Sequence, residues 1–339
     1  MNSRLESTVR NFLERQGLLQ DFDSFDLKNL PFVTVGVCVK NSERTISECL
    51  KSIVNSDYDK LKLEIIVVDG KSVDNTLYIV RDILEKSRIA FKIFSDEGKG
   101  LAYARQIAFE RAKGEYILWI DGDNAIPTHF IKRHIAFMER SSNIGASSAV
   151  LIPRGSTIGA RLQVYQYLSP FLVDTTLRRL NNHNRLAILG IRVFESQGVA
   201  CRVVAMKSAG GYDTRIAGAG EDVDLLLKMQ FKGWKIGETP NTWIYHYVRS
   251  DWKSILRESI WMGYGKHYLS HKYPKAIGPL VNKRTAFGLL DMIERTLKTA
   301  KLFKDYAGFL MPLYYLQRRV GFMIGYRKAH NNGYGHNLA

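Results

Sequence analysis

Carboxylates in this chain cluster where apolar runs end, and those clusters are the first sign of chemistry. The run Tyr116-Ile117-Leu118-Trp119-Ile120 gives way to Asp121-Gly122-Asp123-Asn124, with two carboxylates one residue apart. A hard divalent cation such as Mn²⁺ or Mg²⁺ takes oxygen ligands, and a diphosphate can fill much of its remaining shell. One carboxylate of such a turn can meet the metal while the other meets a ribose. A plain surface turn is the alternative, but so apolar a preceding strand argues against it. A second cluster, Gly218-Ala219-Gly220-Glu221-Asp222-Val223-Asp224, follows Gly210-Gly211-Tyr212-Asp213. Glycines leading into an acidic helix start let backbone approach a ligand closely. A carboxylate there can deprotonate an attacking hydroxyl, although favourable capping of the helix dipole would also place acids there. The third cluster runs from Asp69 to Thr76 (Asp69-Gly70-Lys71-Ser72-Val73-Asp74-Asn75-Thr76) and reads either as a ligand-contacting turn or as a turn with Asp74 as helix cap.

Two further residues are candidates by type and position. His246, in Trp243-Ile244-Tyr245-His246-Tyr247, lies near a predicted strand end, where an imidazole can complete an oxygen-rich metal site or meet a diphosphate. Arg249 has the geometry to steady a departing diphosphate. A structural histidine among aromatics and a solvated arginine are the competing readings.

These residues need elements to position them. Apolar runs predict strands at 32–39, 63–68, 90–94, 116–120 and 145–151, separated by helical patterns at about 43–54, 73–86, 101–112 and 128–139. Buried strands alternating with helices predict βαβ units, a parallel sheet and helices on both faces. In such a sheet ligands bind beyond the carboxyl ends of the strands, where the acidic clusters fall. Beyond them the pattern predicts a strand over 199–206, a helix after Glu221-Asp222, a short strand over 243–247 and a long basic helix over about 251–270. Leu5, Val9, Phe12 and Leu13 predict a short amphipathic N-terminal helix, and 177–186 reads as a loop or short helices.

Composition bounds the function. With 339 residues, 45% hydrophobic and 24% charged, the chain is globular, with room for one large α/β domain plus an appendage. The three cysteines, Cys38, Cys49 and Cys201, have no metal-ligand spacing, and an odd, sparse set argues for reduced thiols and a cytoplasmic setting. The N-terminus is too charged for a signal peptide. A formal net charge of +16 attracts polyanions. No nucleic-acid-binding signature is present, so no nucleic-acid partner is expected. The basic residues concentrate after residue 250 beside apolar ones, which points to an anionic membrane surface.

Together these segments resemble the family 2 glycosyltransferases, which have the GT-A fold. The resemblance covers roughly residues 32–250. Val33 to Asn41 resembles that family's first strand and nucleotide-binding loop, implying donor contacts at Val37, Lys40 and Asn41. Asp69 to Thr76 resembles its acidic turn, implying that Asp69 meets the base, with Gly70 where many members carry a second Asp. Gly98-Lys99-Gly100-Leu101-Ala102-Tyr103-Ala104-Arg105-Gln106 resembles its Gly-x-x-x-Ala-Arg-Asn segment, so Lys99 and Arg105 would face the nucleotide, with Gln106 replacing Asn. Asp121-Gly122-Asp123 matches the DxD motif, implying Asp121 near the ribose and Asp123 on the metal. Glu221-Asp222 matches the ED motif, implying Asp222 as base with Glu221 beside it in the catalytic pair. The implied fold is a Rossmann-like, mostly parallel sheet with helices on both faces, followed by a C-terminal amphipathic helical region. The implied reaction is an inverting transfer from a UDP- or GDP-linked sugar, dependent on Mn²⁺ or Mg²⁺. The Gln-x-x-Arg-Trp motif of processive synthases is missing.

The organisation expected is an N-terminal helical segment (1–30), a catalytic domain (31–250) and a basic, apolar tail (251–339). In the tail, 306–316 is apolar, but Gln317-Arg318-Arg319 interrupts it before 320–326. Two mid-span arginines would cost about 5 kcal/mol or more on insertion. The expectation is therefore a helix lying on the cytoplasmic face of a membrane, with Lys298, Lys301, Lys304, Arg318, Arg319 and Arg327 meeting headgroups, and a lipid-linked acceptor. A homo-oligomer interface is the other use for such a tail. Of the rival functions, a nucleotide-cofactor oxidoreductase lacks its Gly-x-Gly-x-x-Gly after the first strand. A catalytically silent nucleotide-sugar sensor on the same fold would have no need of both Asp123 and Asp222.

Overall fold

The computed structural model describes residues 29–172, 197–249, 251–277 and 304–336, with isolated positions between 11 and 14 and between 296 and 302. The expected N-terminal helix and the 177–186 segment lie outside the described residues.

Strands β1 (Val33–Val39), β2 (Leu63–Asp69), β3 (Ala90–Ser95) and β4 (Tyr116–Trp119) alternate with helices α1 (Ile46–Val54), α2 (Thr76–Glu85) and α3 (Leu101–Arg111). They form the parallel half of an eight-stranded sheet ordered β3-β2-β1-β4-β7-β6-β8-β5. The second half comprises β5 (Asn124–Ala125), β6 (Ile144–Arg154), β7 (Val199–Arg202) and β8 (Lys235–Tyr247). Here β7 runs antiparallel to both β4 and β6, while β6 and β8 pair in parallel. The sheet is therefore mixed and mostly parallel.

Alternation along the buried strands supplies both faces. Val33, Val35, Val37, Ile65, Val67 and Leu118 pack with Ile46, Leu50 and Ile53 of α1, Val80 and Leu84 of α2, and α4 (Phe130–Glu139). Ile66, Val68, Ile117 and Trp119 face the other way, onto Ala104 and Ala108 of α3, α6 (Val203–Ser208) and α7 (Glu221–Phe231). Burying each large aliphatic side chain contributes about 1.5–3 kcal/mol, which fixes strand register and so the height of the loops at the carboxyl ends.

Two expectations are corrected, and one element appears that the pattern did not predict. The strand predicted over 199–206 stops at Arg202, and Val203–Ser208 is a helix that turns the buried Ala205 and Met206 onto the second core. The short strand predicted over 243–247 is the end of a thirteen-residue β8 paired along β6. The two-residue β5, directly after the Asp-Gly-Asp turn, was not foreseen.

After α5 (Ile158–Leu172), the C-terminal part contributes α8 (Trp252–Lys272), a 3₁₀ turn (Tyr306–Leu310) and α9 (Met311–Asn331). Helices α8 and α9 pack closely because glycines face the contact: a Cβ on Gly263 would strike the Phe322 backbone, and one on Gly325 the Ile260 carbonyl. Arg318, expected at lipid headgroups, instead pairs with Glu258 of α8 at 2.6 Å. Arg319 and Arg327 are exposed. The outward side of α9 and its leading turn shows a row of exposed apolar residues: Phe309, Leu313, Leu316, Val320, Met323 and Ile324. Among the described residues no helix is long and apolar enough to cross a membrane.

Candidate active site

The two acidic motifs, a hundred residues apart in sequence, meet on one guanidinium. Arg105, on α3, is 1% exposed; its Nη1 lies 2.5 Å from Glu221 Oε1 and its Nη2 3.1 Å from Asp121 Oδ1. Burial works against the Arg105 charge, but Glu221 and then Asp121 more than offset it, so its pKa is raised and it stays protonated. Burial also pushes the Asp121 carboxyl above the ordinary range, with Arg105 opposing and the nearby Asp123 charge adding to the rise. Glu221 is raised by burial in the same way, again against Arg105, with Asp222 as a like charge.

This geometry revises two expectations. Arg105 does not face a ligand, because both Nη atoms are spent on carboxylates inside the protein. Glu221 is likewise fully engaged, taking Arg105 on Oε1 and the Gly220 N–H on Oε2, so it holds the loop rather than touching a substrate. Asp222 is half-buried beside it, at the first turn of α7. Gly220, at φ +121° where a side chain would be strained, makes this sharp entry. Gly265 of α8 packs on the backbone of Ala219, so α8 backs the loop.

Asp123 lies on the other side of the same turn. Its Oδ1 is 3.7 Å from His246 Nδ1, and its Oδ2 is 3.7 Å from Arg249 Nη1. The Tyr247 N–H donates to the Asp123 carbonyl, and β5 pairs Asn124 with His246, so the β5–β8 ladder sets the spacing. Asn124, buried and not foreseen as a site residue, takes the Asp121 N–H on Oδ1 and offers Nδ2 to His246 Nδ1 at 3.0 Å. It thereby fixes both the turn and the ring. Asp123 Oδ1 and His246 Nδ1, 3.7 Å apart, are a carboxylate-plus-imidazole pair of the kind that suits a divalent ion; an ion on Nδ1 would displace the Asn124 contact.

The remaining predicted contacts lie on the neighbouring loops. Asp69 is buried at the end of β2 and accepts the Ser72 N–H, while Asn41 accepts the Val73 N–H and donates its own N–H to Ser72. Lys40 and Lys99 are exposed. Val37 is fully buried in the first core, so its side chain cannot reach a ligand. Sequence reasoning also passed over Asp96, which shapes the Gly98-Lys99-Gly100 loop by accepting the Gly98 and Gly100 N–H groups and donating its own to the Asp69 carbonyl. Its signal was an acid at a strand end beside glycines. Gln106 accepts the Tyr212 N–H, tying α3 to the Gly210-Gly211 turn.

Residues 34–196 match the model of Glycosyl transferase family 2. The chain is a glycosyltransferase, similar to family 2 over those residues. A Methanococcus voltae relative, dolichyl N-acetyl-alpha-D-glucosaminyl phosphate 3-beta-D-2,3-diacetamido-2,3-dideoxy-beta-D-glucuronosyltransferase, is 23% identical over 71% of this transferase and 74% of its own length. The poly(ribitol-phosphate) beta-N-acetylglucosaminyltransferase TarS of Staphylococcus aureus is 33% identical, but over only 29% of this transferase and 17% of the relative. Among solved structures, the mannosyltransferase PcManGT of Pyrobaculum calidifontis, in complex with GDP-Man and Mn²⁺, superposes with a TM-score of 0.58 at 19% identity. That superposition covers 95% of this chain and 96% of that one, a likeness of fold.

Proposed function

We propose that this transferase moves a sugar, with inversion, from a UDP- or GDP-linked donor to a hydroxyl or phosphate of a lipid-linked acceptor. The observation that carries the reading is the Asp121–Arg105–Glu221 bridge, which draws the DxD and ED loops to one rim of the sheet. Asp222 is the proposed base: the acceptor oxygen bonds to the anomeric carbon, its proton passes to Asp222, and the bond to the nucleoside diphosphate breaks. Glu221 and Arg105 are positioning groups, setting where Asp222 and Asp121 sit.

Asp123 and His246 are proposed to hold Mn²⁺ or Mg²⁺. When bound, the ion offsets charge that develops on the diphosphate. Arg249, 3.7 Å from Asp123 and half-exposed, is placed to meet the same phosphates. Lys40, Asn41 and Lys99 on the neighbouring loops, with Asp69 for the base and Asp121 for the ribose, complete the proposed donor site. The Mn²⁺ and GDP-Man of the Pyrobaculum structure are consistent with this assignment.

The lipid-linked acceptor draws support from the name of the Methanococcus relative and from the exposed apolar row on α9, flanked by Arg319, Arg327 and Lys328. That row suits a helix lying in a membrane interface, with residues 31–250 the catalytic domain and 251–339 the membrane-associating tail. The test is Asp222→Asn. Donor affinity measured by calorimetry with Mn²⁺ should be kept, while turnover falls by about 100-fold or more. Undiminished turnover removes Asp222 from the role.

A further inference from the structure

Half of the eight histidines in the sequence gather where the end of α8 meets the end of α9. His267 and His271 lie one turn apart on α8, His330 is in the last turn of α9, and His336 follows the short turn after that helix. One ring nitrogen from each of His267, His330 and His336 falls within a common 4.8 Å. His271 lies beside them, its ring tilted 4.4 Å from that of His267 and 5.2 Å from that of His336.

Burial and hydrogen bonding single out His267. It is fully buried, its Nδ1 is 2.8 Å from the Tyr334 carbonyl oxygen, and its Nε2 has no hydrogen-bond partner. A carbonyl can only accept, so Nδ1 carries the proton and Nε2 presents a lone pair. A buried nitrogen left in this way is destabilising unless something binds it. Histidines that ligate metals characteristically give their other ring N–H to a backbone carbonyl. His330 Nδ1 and His336 Nε2 are 3.3 Å apart, close to the roughly 3.4 Å edge of a tetrahedron whose metal–nitrogen bonds are about 2.05 Å. Both rings are exposed, which opens a path from solvent.

We infer that His267, His330 and His336 form a binding site for a transition-metal ion, with Zn²⁺ the best fit to an all-imidazole, near-tetrahedral set. The site shares no residue with the proposed donor cleft, yet it is wired to it. Tyr334, whose carbonyl orients His267, takes the Ala217 N–H on its hydroxyl and donates to the Arg215 carbonyl, just ahead of Glu221-Asp222. An ion here pins α8, α9 and the final turn together and braces that loop from behind.

The experiment uses the full chain carrying Asp123→Asn, so that the proposed catalytic metal position is disabled, stripped with chelator and titrated with Zn²⁺ alone. About one ion per chain should bind, with a rise in apparent melting temperature. Adding His330→Ala and His336→Ala, both at exposed positions, should weaken Zn²⁺ binding by about 100-fold or more and abolish the thermal shift. Co²⁺ should give the visible absorption of a tetrahedral nitrogen site in the Asp123→Asn chain and not in the triple variant. A chain with no saturable Zn²⁺ site, or with equal affinity after loss of both histidines, overturns the inference. Neither result depends on transferase activity.

Discussion

Arg105→Met is the sharpest test of how this active site is held. The substitution keeps the length and much of the volume of the side chain but leaves Glu221, 2% exposed, and Asp121 without their shared cation. Breaking a buried pair by removing one partner costs about 3–5 kcal/mol, because the remaining charge is uncompensated. With two carboxylates dependent on one guanidinium, the upper end of that range is expected. Acid should relieve the loss. Without Arg105 both carboxyl pKa values rise further above their unfolded values, so the folded variant binds protons that the unfolded chain does not. Its stability deficit is then largest above the raised folded pKa values and shrinks as pH falls through them toward about 4. Urea unfolding of both proteins between pH 8 and 5 reads this directly. Arg105→Met/Glu221→Gln should recover part of the loss. A variant within about 1 kcal/mol of the parent at pH 8, or a deficit unchanged with pH, would refute the bridge as the organiser of the site.

Asp123→Asn should weaken donor binding in the presence of Mn²⁺ and leave any binding without metal unchanged; calorimetry with and without the ion separates the two. Gly325→Ala places a methyl against the Ile260 carbonyl and forces α8 and α9 apart, so a loss of about 1–3 kcal/mol is expected, seen as a lowered melting temperature. His134 is fully buried against the Ser147 and Thr239 hydroxyls, and burial lowers its pKa to about 3. A folded pKa below the unfolded value of about 6.5 means stability that is present above pH 6.5 and lost as pH falls toward 3. Between pH 6.5 and 5 this histidine alone should cost roughly 2 kcal/mol, a slope that His134→Gln should remove.

In the first half of the sheet β1, β2 and β4 were legible because each is buried on both faces and reads as a largely apolar run, while the edge strand β3 is only partly buried. Val33–Val39 and Leu63–Asp69 appear within a residue of where their sequences place them. The same logic failed at Val203–Ser208, where an apolar run is a helix: periodicity cannot separate the two in so short a stretch, and only the packing of Ala205 and Met206 decides. The carboxylate clusters were visible from their position after strands, but how they are held was not. Arg105 reads in sequence as a helical residue able to face a ligand, and its burial between Asp121 and Glu221 depends on α3 and α7 meeting over one core. Asn124 was hidden because its partner, His246, arrives through a β5–β8 pairing too short to leave a pattern. The histidine cluster escaped notice for the same reason: His267 and His330 are neighbours only because glycines let α8 and α9 pack closely.

The central claim is that one cleft at the rim of the sheet gathers the DxD and ED carboxylates around a nucleotide diphosphate and its cation. Anomalous diffraction at the manganese edge, from crystals grown with Mn²⁺ and a nucleotide sugar, locates that cation directly. The account predicts a peak bonded to the Asp123 carboxylate and the diphosphate, with the sugar between it and Asp222. A nucleotide bound with its diphosphate away from Asp123, or a sugar that Asp222 cannot reach, would contradict it.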